Sequence, residues 1–220
     1  GAAAGSATRE VHPLDGADIQ YFPDVFEAAE ATEIFQELDW LPSWERHTIV
    51  LRDRETGARK EVVEGRPTAT FSMPPFKRYH YSGSERVGLP FPEVVLRVKR
   101  RVEELLGPFL QEWHAGAGRG LRFNFCVANK YDTGFQGVDF HADDERDIVR
   151  RSPIAAVSFG ATREFAFASK ADGEIALRMP LRAGGVLLMA GRTQERYLHS
   201  ITKDRAVQVP RISLTFRFNA

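Results

Sequence analysis

The sequence predicts an α+β fold, in which an antiparallel barrel or jelly roll is braced on one side by helices. Two stretches, residues 26–38 and 92–106, carry apolar side chains at helical spacing. After Gly120 the chain changes to short strand-like runs separated by turn signals. Short strands in such number are typical of antiparallel barrels and jelly rolls, so we expect the helices to pack outside a β core.

The two predicted helices each have one apolar face and a recognisable end. Pro92 suits the first turn of the second helix, and Gly107 and Pro108 end it. The apolar positions are Ala28, Ala31, Phe35 and Leu38 in the first helix and Val95, Val98, Val102 and Leu105 in the second.

Between the helices, residues 48–51 and 60–63 predict a β-hairpin around the turn signal Glu55-Thr56-Gly57. Its basic side chains, together with two that follow it, are candidates for contacts with phosphate groups. These candidates are Arg52, Arg54, Arg59, Lys60, Lys77 and Arg78.

The strand region begins with a clear alternation. Leu121, Phe123, Phe125 and Val127 alternate with polar or small residues, and the same phase continued places Asn129 and Tyr131 on the inner face. Polar side chains on an inner face need partners. Further strands are predicted at 154–159, 164–168, 175–179, 186–189 and 211–218.

Composition limits the possible partners. The 220 residues include 30 basic and 30 acidic side chains, so the net charge is zero and any nucleic-acid site must be a local patch. The single cysteine, Cys126, excludes an internal disulfide and a cysteine-based zinc cluster. We find no run long enough to span a membrane and no signal segment. We expect a disordered start over residues 1–19 and one domain over residues 20–220, with its β core at about 120–218.

A metal site is predicted at His141-Ala142-Asp143, just past a strand. In extended backbone, positions i and i+2 point the same way, about 7 Å apart. Two histidines and one carboxylate on one face of an ion are the ligands of non-haem iron oxygenases. His199 is the best third ligand by position, because the other histidines fall in the helical and hairpin part of the chain. The alternative is that His-x-Asp occurs here by chance.

The last predicted strand, residues 211–218, has one apolar and one polar face. The polar face carries Arg211, Ser213, Thr215 and Arg217, with the two arginines about 20 Å apart along the backbone. A guanidinium matches a carboxylate, so the pair could grip both ends of a short dicarboxylate. The alternative is an exposed polar face of a terminal strand.

Taken together, these stretches resemble the AlkB family of iron(II)- and 2-oxoglutarate-dependent oxygenases, most closely its eukaryotic-type DNA-repair branch. The order and spacing of the matching segments both fit, over roughly residues 66–218 and more weakly from residue 20. The segments are Phe123-Asn124-Phe125, Asn129-Lys130-Tyr131, His141 to Glu145, Ser152-Pro153-Ile154, Val157 to Arg163, His199 and Pro210 to Arg217.

The resemblance implies a double-stranded β-helix core with a β-hairpin lid at about residues 45–85, and Fe(II), 2-oxoglutarate and dioxygen as cofactor and cosubstrates. It implies that His141, Asp143 and His199 hold the iron. Arg211 and Tyr131 would bind the distal carboxylate of 2-oxoglutarate, and Arg217 and Asn129 would bind near the metal-chelating carboxylate. Ser213 and Thr215 would line the same site, and Ser213 stands where the family often has asparagine.

The resemblance further implies demethylation of 1-methyladenine and 3-methylcytosine in DNA or RNA, with release of succinate and formaldehyde. The base must be flipped or single-stranded to reach the metal. The implied substrate-binding residues are Arg66, Tyr79, Tyr81, Ser82, Asp144 and Glu145. The two tyrosines would stack on the base, and the acidic pair would favour a cationic lesion. Ordinary strand packing and solvated loop charges are the respective alternatives.

The competing functions are oxygenation of a protein, a lipid or a modified tRNA base, and a non-enzymatic β-barrel binding module whose histidines are structural. The same fold supports many substrates, so fold alone does not decide between these functions. The resemblance favours a monomer that acts on alkylated nucleic acid inside the cell without contacting a membrane.

Overall fold

The protein is described here from a computed structural model, which covers residues 8–52, 56–81, 84–113 and 120–220. Its helices are α1 (Ala28–Asp39), α2 (Glu93–Leu106) and the short α3 (Thr193–Arg196). Two 3-10 turns, Gly107–Phe109 and Gln111–Trp113, follow α2. None of the helices in these ranges is long and apolar enough to cross a bilayer.

The strands run from one end of the chain to the other. In chain order they are β1 (Glu10–His12), β2 (Ala17–Phe22), β3 (Thr48–Arg52), β4 (Arg59–Val63), β5 (Thr68–Ser72), β6 (Arg78–Tyr81), β7 (Ser84–Val87), β8 (Phe125–Tyr131), β9 (Val138–His141), β10 (Ile154–Gly160), β11 (Arg163–Ser169), β12 (Ile175–Leu181), β13 (Val186–Gly191), β14 (Tyr197–Ile201) and β15 (Arg211–Arg217).

Two antiparallel sheets form the core. The large sheet has the order β1-β2-β13-β10-β15-β8-β5, and the small sheet has the order β12-β11-β14-β9. The two sheets pack face to face, so that Phe165 and Phe167 of the small sheet share a core cluster with Leu187 and Met189 of the large one. This arrangement confirms the predicted jelly-roll core.

The helices α1 and α2 cover the outer face of the large sheet. They bury Ala31, Ile34 and Leu38 of α1 and several valines of α2 against that face. Both helices lie where the apolar periodicity predicted them, although α1 begins at Ala28 instead of residue 26. Because the helices occupy one face of the large sheet, the other face remains available for polar side chains and the small sheet.

The last strand shows this division most clearly. In β15, Ile212, Leu214 and Phe216 belong to the core cluster beneath the helices. The polar face is also buried: Arg211 is 1% exposed and Arg217 is 6% exposed. The predicted two-faced pattern is therefore confirmed, and the exposed outer face is excluded because the small sheet covers it.

Two sequence expectations are corrected. The start of the chain was expected to be disordered over residues 1–19, but β1 and β2 form an ordered edge of the large sheet, with β2 paired to β13. The expectation is wrong for these strands; residues 1–7 lie outside the described part of the chain. Pairing partners so distant in sequence leave no local periodicity, which explains the error. The single domain over residues 20–220 stays a prediction.

The second correction concerns the alternation after Gly120. Leu121 and Phe123 pack in the cluster on the helix side, whereas Phe125 and Val127 face the opposite side. The phase changes because β8 begins only at Phe125, and the irregular backbone before it turns the side chains over. Asn129 and Tyr131 still share the face of Phe125, as their cross-strand pairing with Ser213 and Arg211 requires.

Two hairpins project from this core at the expected lid region. The hairpin β3–β4 confirms the predicted one, with Gly57 in a left-handed conformation (φ +70°) at its turn. The hairpin β6–β7 is anchored by a buried ion pair, in which Arg86 Nη2 lies 2.8 Å from Glu64 Oε1. Thr68 Oγ1 donates to the same carboxylate. Breaking a buried pair is costly, so this end of the hairpin is firmly attached, while its role as a lid stays a prediction.

Candidate active site

The three predicted metal ligands meet between the strands of the small sheet. β9 pairs with β14 so that His141 lies directly opposite His199, and the chain leaving β9 brings Asp143 between them. Asp143 Oδ1 lies 3.8 Å from His141 Nε2, and Asp143 Oδ2 lies 3.8 Å from His199 Nε2. All three ligand atoms fall within 4.8 Å of one another. Metal-ligand bonds of about 2 Å place ligands up to about 4 Å apart, so a small movement fits them to one ion.

Each of the two imidazoles directs one ring nitrogen toward Asp143. His141 Nδ1 lies 2.9 Å from the carbonyl oxygen of Asp139. A carbonyl only accepts, so Nδ1 carries the proton and the lone pair of Nε2 faces the site. Burial, with a smaller effect from the nearby His141, lowers the pKa of His199 to about 3, which keeps this imidazole neutral. Metal binding requires this neutral form.

Asp143 is held as a buried carboxylate. Its side chain is 1% exposed, and Arg217 Nη2 donates to Oδ1 at 2.6 Å. Burial alone would raise the pKa of Asp143, but the charge and hydrogen bond of the Arg217 guanidinium reverse this and hold the pKa below its ordinary value. Asp143 is therefore an anionic ligand at neutral pH, with Arg217 fixing its orientation.

A cavity extends from these ligands along the polar face of β15 and β8. Its walls hold all six side chains predicted to bind the cosubstrate: Asn129, Tyr131, Arg211, Ser213, Thr215 and Arg217. Residues that are predicted from the sequence to share one function therefore lie together in the structure. The metal ligands form one end of the cavity.

Arg211 is an almost fully buried residue in the wall of this cavity. Its Nη2 donates to Ser158 Oγ at 2.9 Å, and its guanidinium carbon lies 5.3 Å from the centre of the Tyr131 ring. Its Nε and Nη1 are buried and make no hydrogen bond to any described residue. Buried donors without an acceptor are costly, so the site fits an anionic ligand that would supply one. A carboxylate offers two oxygens that can accept charge-assisted hydrogen bonds from such donors.

Arg66 was expected to contact the substrate, but the structure places it in the wall of the cavity that holds the residues predicted to bind the cosubstrate. Its Nε donates to Asn129 Oδ1 at 2.8 Å, and its guanidinium carbon lies 5.7 Å from the centre of the Tyr131 ring. Asn129 is thus oriented by an arginine at the cavity mouth. A contact between Arg66 and a base stays a prediction.

The aromatic stacking expected of the hairpin β6–β7 is not available to Tyr79. Its side chain is 4% exposed, packs edge-on against Phe125 with the ring centres 4.8 Å apart, and shares a hydrogen bond with Thr70. Tyr79 is a core residue because its face of the hairpin turns toward β8. This agrees with ordinary strand packing, which was the alternative to stacking on a base. The side chain of Tyr81 and all of Ser82 lie outside the described residues.

The acidic pair after the metal motif divides into two environments. Asp144 is 63% exposed and its Oδ2 lies 3.1 Å from Lys170 Nζ. Glu145 is half-buried, its Oε2 has no hydrogen-bond partner among the described residues, and burial raises the pKa of its carboxyl group. Of these two residues, only Glu145 presents a buried acceptor that no described residue satisfies.

Sequence reasoning missed Gln194, which supports the metal motif from α3. Its Oε1 accepts the backbone N–H of Asp143 at 2.9 Å, and its own carbonyl accepts a hydrogen bond from Lys170. The residue lies 51 positions from Asp143 in the chain, so no local pattern could reveal the contact. The only signal was its position five residues before His199.

We expect Gln194→Leu to weaken metal binding by about ten- to a hundredfold, because the loop bearing Asp143 loses the acceptor that orients it. Gln194→Glu keeps an acceptor oxygen and should retain most of the affinity. Anaerobic titration with Co(II), followed by visible absorption, measures this directly. Gln208→Leu, at an exposed position, is the matched control, and equal affinities for all four proteins would show that Gln194 has no such role.

Comparison with known proteins agrees with this geometry. A sequence model of the 2OG-Fe(II) oxygenase superfamily matches residues 18–217. The DNA oxidative demethylase ALKBH2 of Homo sapiens is 33% identical, over 99% of this chain and 78% of that protein. The alpha-ketoglutarate-dependent dioxygenase alkB homolog 3 of Homo sapiens is 32% identical, over 83% of this chain and 62% of that protein.

Among solved structures, that of OsALKBH1 superposes with a TM-score of 0.62. The two chains share 17% of their residues, and the match covers 94% of this chain and 99% of that one. At this level of identity the likeness concerns the fold, and it agrees with the two-sheet core described above.

Proposed function

Because this chain belongs to the 2OG-Fe(II) oxygenase superfamily and, within it, to the AlkB family, we propose that it removes alkyl groups from nucleic-acid bases. The chain is an Fe(II)- and 2-oxoglutarate-dependent dioxygenase, with dioxygen as the second cosubstrate. We infer that its substrates are 1-methyladenine and 3-methylcytosine. The observation that carries the proposal is a His-Asp-His constellation opening into the same cavity as a buried arginine with unused donors.

His141, Asp143 and His199 would hold the iron. They offer two imidazole nitrogens and one carboxylate, the donor set that would suit a non-haem Fe(II) oxygenase. When bound, Fe(II) would supply the chemistry by which dioxygen oxidises 2-oxoglutarate to succinate and carbon dioxide and hydroxylates an N-methyl carbon, which then leaves the base as formaldehyde. Arg217 keeps Asp143 anionic and correctly turned.

Arg211 would bind the distal carboxylate of 2-oxoglutarate. Its Nε and Nη1 carry donors that no described residue satisfies, so carboxylate oxygens would accept from these atoms, while Ser158 accepts from Nη2. The ring of Tyr131 packs beside the guanidinium and narrows this end of the cavity. Arg217 contacts Asp143 and so lines the part nearer the metal ligands, where the second carboxylate would lie; Asn129 lines the same cavity.

The target base would reach the metal from the side of Glu145. A base cannot react while stacked in a duplex, so it must be flipped or single-stranded. 1-Methyladenine and 3-methylcytosine carry a positive charge. Glu145 offers them a carboxylate oxygen that no described residue satisfies. A charge-assisted hydrogen bond at this point would favour the cationic lesions over ordinary bases.

The proposal is tested by supplying the anaerobically iron-loaded enzyme with 2-oxoglutarate and oligonucleotides that carry either methylated base. We expect succinate and formaldehyde in equal amounts, above the level with unmodified oligonucleotides. Turnover of 2-oxoglutarate without any loss of methyl groups from DNA or RNA would instead indicate a protein, lipid or modified tRNA base as substrate.

A variant tests the role of Glu145. We expect Glu145→Gln to lower kcat/KM for 3-methylcytosine about tenfold, which corresponds to about 1.4 kcal/mol. Repair of 3-methylthymine, which is neutral, should change little. Glu174→Gln, on an exposed turn, is the control. Equal losses of kcat/KM for 3-methylcytosine and 3-methylthymine would mean that Glu145 supports the fold of the loop and does not contact the base.

A further inference from the structure

A second cavity, of about 630 Å³, opens beside the metal motif and is not used by the cosubstrate site. Asp144 and Glu145 line one part of it, and arginines line another. The cavity shares Asp143 with the first cavity, so it adjoins the position at which the base is proposed to react. Nothing in the proposed reaction so far accounts for its basic side chains.

Three arginines in this cavity converge on one carboxylate. Glu195 accepts from Arg150 Nη2 at 2.8 Å, from Arg151 Nε at 2.9 Å and from Arg192 Nε at 2.9 Å. Arg151 adopts a left-handed backbone conformation (φ +61°), which non-glycine residues rarely adopt. These four residues are called the arginine cluster below.

The arginine cluster keeps most of its charge in contact with solvent. The side chains of Arg150, Arg151 and Arg192 are 80%, 54% and 48% exposed. Hydrogen bonds from the three guanidiniums lower the pKa of Glu195 to about 2, so three positive charges and one negative charge give a net charge of +2. Each guanidinium has five N–H donors, and the contact with Glu195 does not use those on Nη1.

The position of the cluster relative to the metal motif is fixed. Gln194, the residue before Glu195, binds the backbone N–H of Asp143. Lys170 adds a link between the two segments, because its Nζ contacts both Asp144 Oδ2 and the carbonyl oxygen of Gln194. A group bound by the cluster would therefore lie at a defined place beside the reacting base.

We propose that the arginine cluster binds the phosphodiester backbone of the DNA strand that carries the target base. This inference rests on the proposed function, because it assumes a nucleic-acid substrate. A chain with zero net charge has no overall positive field to attract DNA, so a local patch must do so. The donor geometry of a guanidinium matches phosphate oxygens. The shared carboxylate of Glu195 holds the three guanidiniums close together in the protein without DNA. Contacts of this kind position the strand without reading its sequence.

The test measures binding of a fluorescent single-stranded oligothymidylate of about 15 nucleotides over a salt series. The variant is Arg150→Gln/Arg151→Gln/Arg192→Gln. Each lost phosphate contact should reduce the slope of log K against log salt by about 0.7, so we expect a reduction of about 1–2 in all. At low salt the affinity should fall at least about tenfold.

The control is Arg97→Gln/Arg100→Gln/Arg101→Gln on α2, which removes the same charge. These arginines also pair with glutamates, and α2 covers the opposite face of the large sheet. A reduced slope in the cluster variant alone supports the proposal. An unchanged slope in the cluster variant, or an equal reduction in both variants, overturns it.

Circular dichroism and 2-oxoglutarate turnover without DNA establish that each variant is folded. If the triple variant does not fold, Arg150→Gln, at the most exposed of the three positions, should still reduce the slope by about 0.7; no reduction would again overturn the proposal. Because the probe carries no methylated base, binding reports on the cluster even if the enzyme demethylates neither lesion.

Discussion

Asp143→Ala is expected to abolish iron-dependent turnover of 2-oxoglutarate, to below a few per cent of the wild-type rate. Asp143 is the only carboxylate of the constellation, and it lies between the two imidazoles at 3.8 Å from each. Without it, the ion loses one of three ligands and its only anionic one among these residues. Anaerobic titration with Fe(II) or Co(II), together with formaldehyde release from methylated oligonucleotides, measures both consequences.

The same substitution removes the partner of Arg217, which would leave a buried guanidinium without its carboxylate. Such a loss can destabilise a protein by about 3–5 kcal/mol, so stability must be measured separately. Asp143→Asn keeps an oxygen that can accept from Arg217 and should restore stability without restoring activity. Asp144→Asn, one residue away on the surface, should bind metal normally. Activity above a few per cent in a folded Asp143→Ala protein would exclude this aspartate as a ligand.

Arg211→Met is expected to raise the concentration of 2-oxoglutarate needed for half-maximal turnover by about ten- to a hundredfold. The substitution removes a charge-assisted contact worth roughly 1.5–3 kcal/mol, while methionine fills a similar buried space. The affinity for metal should not change, because Arg211 contacts Ser158 and Tyr131 and no metal ligand. Succinate formation over a range of 2-oxoglutarate concentrations gives the apparent KM.

A second cosubstrate makes this prediction specific to the distal carboxylate. 2-Oxopentanoate has the same chain length as 2-oxoglutarate but lacks that group, so the wild type should strongly prefer 2-oxoglutarate. The preference should largely disappear in Arg211→Met. The substitution removes the guanidinium and 2-oxopentanoate lacks the carboxylate, and these are the two partners of one interaction. Arg178→Met, at an exposed position, is the control. A preserved preference would place the distal carboxylate elsewhere.

Whether a feature of the site could be predicted depended on how far apart in the sequence its residues lie. The His141 and Asp143 pair is local, because extended backbone places positions i and i+2 on the same side. The polar face of β15 is local as well, since alternation within one strand assigns Arg211 and Arg217 together. The third ligand, His199, was selected by its position in the chain and by the family resemblance, and strand pairing then brought it opposite His141.

Contacts between distant segments were decided only by the tertiary structure. Gln194 reaches Asp143 across 51 positions, and Glu195 gathers arginines from 44 and 45 positions away. Tyr79 was expected at an exposed stacking surface, yet the hairpin turns it against Phe125. The basic residues proposed for phosphate contacts also differ in their exposure to solvent. Arg59 and Lys60 are exposed, whereas Lys77 is half-buried and donates a hydrogen bond to the carbonyl oxygen of Asn219.

The sequence by itself therefore determined the class of fold, the polar strand face and the type of metal site. These features depend on periodicity and short spacing, which both lie within a single helix or strand. The tertiary structure decided which side of β8 faces the cosubstrate, that β1 and β2 complete the large sheet, and that an arginine cluster adjoins the metal motif. The physical reason is that burial and pairing depend on which segments pack together. The sequence does not show whether an arginine contacts solvent, contacts a carboxylate or lines a cavity. Arg211 is buried and Arg150 is exposed because different segments pack around them.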